Sequence, residues 1–296
     1  MIRNTRLPYR TFGTSNLNRL FMSSHVSNKQ VILITGTSRG IGQAVAEALR
    51  KAGHVVYGSS RRGRDSDPFH LALDVTDPEA CRRALAQVVA EQGRLDVLVN
   101  NAGSHLTGAA VENGLEEVRS QMELNFMGAV HMTQAVLPVF LEQRSGKLIN
   151  MSSLGGLLAL PFTSAYNASK FALEGYMSSL RQEVMPFGIW VSNLSPGYIH
   201  SGTVDQSILA PSQPHPLFAS FREGLHQQML IDSSRGLAMA TVAHRITDIV
   251  AARRPRYQYK LGRTARMYTF LQGLLPEGLF HAAVRRTFAL PDRVDY

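Results

Sequence analysis

Ser153, Tyr166 and Lys170 are the side chains best suited to chemistry in this sequence. Tyr166 and Lys170 stand four apart at the start of a helical stretch, so they share one helix face. A free phenol, with a pKa of about 10, is a poor base at neutral pH. A neighbouring ammonium favours the phenolate and lowers that pKa. Ser153 closes a strand-like run. From there its hydroxyl can donate a hydrogen bond to a carbonyl oxygen on which negative charge grows. Tyr166 then passes or takes the proton as general acid or base. These are the needs of a carbonyl that becomes an alkoxide when it accepts a hydride. Asn125, in a helix expected to pack beside this group, could hold a water that links Lys170 to solvent.

A hydride needs a donor, and the chain carries a turn suited to one. After the apolar run Val31 to Thr35 comes T-G-T-S-R-G-I-G, Thr35 to Gly42. Gly36, Gly40 and Gly42 let the backbone turn tightly and approach a pyrophosphate, with Ser38, Arg39 and Ile41 between them. The following helix points its N-terminal amides at the phosphates. A cofactor without a 2′-phosphate usually meets an Asp or Glu at the end of the second strand. Here the chain reads Ser59-Ser60-Arg61-Arg62, and Arg39 can reach the same point. Arg pairs with phosphate through a planar fork of donors. The expected cofactor is therefore NADP(H) rather than NAD(H). Asp74 is placed to accept from an adenine amino group. Asn101, Ala102 and Gly103 are placed to lie against the adenosine ribose, or to form a structural turn, or both. Lys170 can also hold the ribose hydroxyls.

These residues need a frame that brings strand ends together. VILIT, HVVYGSS, FHLALDV, LDVLVN, KLINMSS and GIWVSNLSP read as six strands, and RYQYKLG as a short final one. Helical stretches alternate with them: one closed by Gly53, one opened by Pro78, two between about Glu112 and Gln143 with Pro138 as a kink, and one from Ser164 to Met185. This pattern predicts an α/β, Rossmann-type doubly wound parallel sheet in one domain. After Pro196 the alternation is expected to stop. Residues 201–235 read as a helical lid, and 263–296 as a helical extension with amphipathic stretches near Ala265 to Leu275 and Glu277 to Phe288.

Length and composition agree. A chain of 296 residues, 44% hydrophobic and 18% charged, suits one large folded domain. Cys81 is the single cysteine, which excludes an intrachain disulfide and suggests packing. None of the ten His has metal-ligand spacing, so no metal is expected. The net charge of +9 comes without aromatic-basic interleaving, which argues against nucleic acid as a partner. Residues 1–29 carry Arg3, Arg6, Arg10 and Arg19 and no acid. They read as a disordered leader with a cytoplasmic protein behind it, the alternative being a mitochondrial transit peptide. No unbroken run of about 18 apolar residues is present.

In order along Gln30 to Ser201, TGTSRGIG, NNAG, Ser153 before Y-N-A-S-K, and S-P-G-Y-I resemble the short-chain dehydrogenase/reductase family. The resemblance implies that Asn125, Ser153, Tyr166 and Lys170 form a catalytic tetrad. It also implies that Pro196, Gly197, Ile199 and Ser201 bind the nicotinamide, with Ser201 where the family often has Thr. VVYGSSRR and the long C-terminus resemble the steroid, retinol and acyl-dihydroxyacetone-phosphate reductase branch, which implies a lipid- or steroid-like ketone, aldehyde or alcohol. Ile208, Leu209, Leu217, Phe218, Phe221, Leu225, Met229, Leu230 and Ile231, with Leu154, Leu157 and Leu158, are candidates for an apolar substrate wall or for core packing. The alternatives are a 3-oxoacyl-thioester reductase and a non-catalytic NADP(H)-sensing protein. A homodimer or homotetramer is implied by the family. The Arg-rich tail is read as a capping helix pair, with contact to a membrane surface as the other reading.

Overall fold

The computed structural model describes residues 29–63, 66–200, 208–209, 211–288 and 290. Seven parallel strands form the central sheet: β1 (Val31–Ile34), β2 (Val55–Ser60), β3 (His70–Ala72), β4 (Val97–Asn100), β5 (Gly146–Met151), β6 (Ile189–Pro196) and β7 (Gln258–Leu261). Their order is β7-β6-β5-β4-β1-β2-β3, so the chain reverses direction across the sheet between β1 and β4. Register is fixed by pairs such as Val31 with Val55, Val97 with Ile32 and Leu148 with Val191. The strands are apolar on both faces because both faces are covered. Val31 and Leu33 point into one core, Ile32 and Ile34 into the other.

Three helical segments cover the first face. These are α2 (Pro78–Gln92), the stretch α3 (Leu115–Met122) to α4 (Gly128–Gln143), and α5 (Ser164–Val184). Leu173, Met177, Leu180 and Val184 of α5 recur at helical spacing and are buried there, together with Met132, Val136 and Phe140 of α4. α1 (Gly40–Lys51) and α7 (Met239–Ala251) cover the second face through Val45, Leu49, Val242, Ile246 and Val250. Asp77 caps α2 by accepting from the Glu79 amide, with Pro78 at the first helical position. Cys81 is fully buried, and burial pushes its thiol up to about 12.

The structure differs from the sequence reading after Pro196, where alternation does not stop: α6 (Ala219–Ser234) and α7 lead into β7, which completes another parallel crossover. Pro138 lies inside α4, and a π-helical turn at Glu123–Met127 precedes that helix. The continuous helix Leu115–Gln143 is long and apolar enough to span a bilayer by length and composition, but Met132, Val136 and Phe140 account for that apolarity as core. The tail forms α8 (Arg263–Leu274) and α9 (Glu277–Thr287). The expected leader lies outside the described residues.

Candidate functional site

The turn leaves no room for a side chain at Gly36 or Gly42. Gly36 has φ +71°, and a Cβ there would stand 2.8 Å from the Ala102 Cα. A Cβ on Gly42 would stand 2.2 Å from the Gly36 carbonyl oxygen. The Asn101 side-chain amide braces the turn by donating to the carbonyls of Thr35 and Gly36, both at 2.9 Å. The backbone amides of Asn101 and Ala102 donate to the Thr35 hydroxyl. The structural reading of Asn101 is therefore what the geometry shows. α1 starts with no side-chain cap and no acid in its first turn. Its amide donors and positive dipole end suit an anion lying against the turn.

Arg39, at the N-cap of α1, and Arg61, just past β2, are both exposed. Ser59 is buried beside them, and Ser60 pairs with His70 Nε2 at 2.9 Å. Asp67, on the loop to β3, is held by Arg50 at 3.0 Å. The turn that carries Arg39 lies against the end of β2, where the Thr37 amide donates to the Ser59 carbonyl at 2.8 Å, and Arg61 follows β2 directly; guanidinium donors of this kind fit a 2′-phosphate. Asp74 accepts from the Thr76 amide and hydroxyl with its Oδ1, at 3.0 and 2.8 Å. That oxygen shapes the turn into α2.

Lys170 is buried, and its ammonium donates to the Met151 carbonyl at 2.8 Å. It lies 5.9 Å from the Tyr166 ring centre. Burial lowers the Lys170 pKa to about 8, and the Glu174 carboxylate one turn later opposes the shift. Ser153 caps the 3-10 turn Leu154–Gly156, its hydroxyl accepting from the Gly155 amide at 3.1 Å. Asn125 sits in the π-helical turn, where the looser winding accommodates its bonds to another segment. Its Oδ1 accepts from the Ser104 amide at 2.9 Å, and its Nδ2 donates to the Ser104 carbonyl and the Ser169 hydroxyl. A Cβ on Gly103 would meet Asn125 Oδ1 at 3.0 Å and Lys170 Nζ at 3.8 Å. Gly103, Asn125 and Lys170 therefore share one wall. Pro196 ends β6, and the Gly197 amide donates to the Leu261 carbonyl at 3.0 Å. Ile199 pairs with Leu237. Ser201 lies outside the described residues.

Several neighbours of the site had no signal in the sequence reading. The His105 ring lies over Tyr166 with centroids 4.0 Å apart. Its position two residues after Gly103 could have suggested this. Phe162 adopts φ +59°, a left-handed conformation that a bulky residue enters at a cost, and its ring meets Phe218 and Phe221. Glu112 is fully buried. It forms an ion pair with Arg222 of α6 and accepts from the His215 amide at 2.8 Å and the Ala109 amide at 2.9 Å. It ties α6 and the residues just before it to the loop after β4. A ladder of amides crosses the sheet below: Asn100 to Asn150, Asn150 to Asn193, and Asn193 to Glu174 at 2.6 Å.

The apolar candidates divide. Phe218 and Phe221 pack on Phe162, and Leu225 is buried. Leu217, Leu230 and Ile231 are exposed. Leu154 and Leu158 turn away to pack with Ala265, Phe280 and Val284, so they support the tail helices. The capping reading of the tail holds for Leu271, Leu275 and Phe280, which join this cluster.

A family model described as short chain dehydrogenase matches residues 30–210. The 3-ketodihydrosphingosine reductase of Bacteroides thetaiotaomicron is 37% identical over 266 residues, covering 88% of this chain and 98% of that protein. The crystal structure of a short-chain dehydrogenase from Streptomyces avermitilis is 34% identical with a TM-score of 0.76, covering 88% of this chain and 98% of that one. The structure of ElxO with NADP bound is 25% identical with a TM-score of 0.65, covering 78% and 96%.

Proposed function

Because this chain belongs to the short-chain dehydrogenase family, we propose that it is an NADP(H)-dependent oxidoreductase that interconverts a ketone and an alcohol on a hydrophobic, lipid-like substrate. Gly36, Ser38, Arg39, Gly40, Ile41 and Gly42 would hold the pyrophosphate, with Arg39 and Arg61 on the 2′-phosphate. Asp74, Asn101, Ala102 and Gly103 would flank the adenosine. Pro196, Gly197, Ile199 and Ser201 would flank the nicotinamide, and Lys170 the adjoining ribose. The bound cofactor supplies or accepts the hydride.

The chain's own residues handle the proton. Ser153 donates to the substrate oxygen as its charge grows. Tyr166 gives its phenolic proton to the resulting alkoxide, or takes it from the alcohol in reverse. The Lys170 ammonium, whose charged form Glu174 favours, would stabilise the negative charge that appears on the phenol oxygen. Asn125 fixes the loop at Ser104 and Ser169 beside that ammonium. The observation that carries this reading is a buried ammonium beside the Tyr166 ring, on the wall it shares with Gly103.

A lipid-like ketone is favoured by the aromatic cluster Phe162, Phe218 and Phe221 beside the start of α5, the helix that carries Tyr166. It is favoured also by the likeness to a 3-ketodihydrosphingosine reductase along nearly all of that protein's length. The test is NADPH absorbance with 3-ketodihydrosphingosine, simple ketones and a 3-oxoacyl thioester. Turnover of the free long-chain ketone that exceeds the thioester supports the reading. A requirement for the thioester, or a preference for NADH, refutes it.

A further inference from the structure

One face of α8 has no covering. Arg263, Arg266, Met267, Phe270, Gly273 and Leu274 recur at the three- and four-residue spacing of a single helix face, and all are exposed. The apolar members stand far out of the surface: Met267 is 51% exposed, Phe270 67% and Leu274 64%. Leu279, at the start of α9, is 61% exposed. Lys260, Arg266, Phe270 and Leu274 line an open groove of about 460 Å³, basic at one end and apolar at the other. The opposite face of α8 is fully occupied. Ala265 is buried, and Tyr268 and Leu271 pack with Leu154 and Leu158, the residues that follow Ser153.

The charge pattern says what the face would meet. From residue 249 to 276 the sequence has no Asp or Glu, while it carries Arg253, Arg254, Arg256, Lys260, Arg263 and Arg266. All six are exposed. A second copy seated here by two-fold symmetry would bring these cations against themselves with no carboxylate from this segment to pair them. An anionic bilayer has the opposite character: carboxylate or phosphate headgroups outside and hydrocarbon beneath. A helix with cations at one end and large apolar side chains along the outward face lies in such an interface.

We propose that the outer face of α8 is a docking surface for an anionic lipid bilayer. Phe270, Leu274 and Met267 enter the headgroup–acyl boundary, and Lys260, Arg263 and Arg266 meet the lipid anions. Docking there sets the far side of the same helix, and the Ser153 segment it supports, close to the membrane. The proposal stands on this face and does not depend on the substrate assignment.

The experiment is co-sedimentation of the full chain with phosphatidylcholine vesicles, with or without about a third phosphatidylglycerol. Wild type, Phe270→Ser/Leu274→Ser and Arg263→Ala/Arg266→Ala are compared, since Arg residues in 1–29 could also bind anions and the α8 variants isolate this face. The expected result is salt-sensitive binding to the mixed vesicles that falls about tenfold or more in each double variant. Turnover of a water-soluble ketone stays unchanged, which reports an intact fold. Equal binding by wild type and variants, no preference for the anionic vesicles, or no binding overturns the proposal. So does self-association that the Phe270→Ser/Leu274→Ser change abolishes, which would give the face to a second copy.

Discussion

Replacing Lys170 with Met should remove activity yet leave the apo protein at least as stable at neutral pH. Burial lowers the Lys170 pKa from 10.5 to about 8. A folded-state value below the unfolded one means that the folded chain binds the proton less tightly. The charged lysine therefore costs about 3 kcal/mol at pH 7, at about 1.4 kcal/mol per pH unit of displacement. The cost fades as pH rises through 8 toward 10.5 and is about 1 kcal/mol at pH 10. Met fills similar space without charge, but it leaves the Met151 carbonyl without its 2.8 Å donor. That loss offsets about 1–3 kcal/mol. Glu174 keeps Asn193 and Ser195 as donors. The net at pH 7 is a gain of about 0–2 kcal/mol, and the stability difference between variant and wild type should fall by about 2 kcal/mol between pH 7 and 10. Urea unfolding of both proteins at the two pH values measures this. Tyr57 and Tyr257, both raised to about 12, also titrate in alkali, but they are common to both proteins and cancel. A pH-independent difference, or a variant that gains on the wild type as pH rises, would show that Lys170 is not a desolvated ammonium.

Glu174→Gln should lower the Lys170 pKa below about 8, because its carboxylate is the influence that raises it. The alkaline limb of the kcat/KM–pH profile should move to lower pH; an unmoved limb argues against electrostatic support by Glu174. Gly42→Ala should abolish dinucleotide binding by fluorescence titration, since its Cβ would fall 2.2 Å from the Gly36 carbonyl oxygen. Wild-type affinity in that variant would refute the tight turn. Glu112→Ala strands Arg222 and unties the lid, with a destabilisation of up to about 3–5 kcal/mol for a broken buried pair. KM should rise more than kcat falls; a loss in kcat alone would mean that the pair does not hold the lid. Tyr166→Phe removes the proton donor and should cut turnover by about 10²–10⁴ while cofactor affinity persists. Retained NADPH oxidation would end the proposed mechanism.

The sheet and the glycine turn were legible because their signals are local. A buried strand must be apolar throughout, and a phosphate turn must be Gly-rich, whatever surrounds them. Val31 to Gly42 therefore announced both a strand and a tight turn, and Tyr166 and Lys170 shared a face by helical spacing alone. α6 falls within the stretch read as a helical lid, but α7 was missed because the three prolines between Pro211 and Pro216 broke the visible alternation, although the crossover resumes after them. Leu154 and Leu158 stayed open between a substrate wall and core packing for another reason: apolarity states that a side chain is buried, not against what.

What the sequence alone determined is the succession of strands along the chain, the glycine turn, the cations beyond β2 and the Tyr–Lys pair, each set by short-range periodicity or backbone need. Only the tertiary structure decided how far Lys170 is desolvated, that Glu112 grips Arg222 about a hundred residues on, that His105 lies over Tyr166, and which face of α8 is left bare. Burial, charge pairing and exposure depend on which segments meet, and that is a property of the whole packing rather than of any stretch of chain.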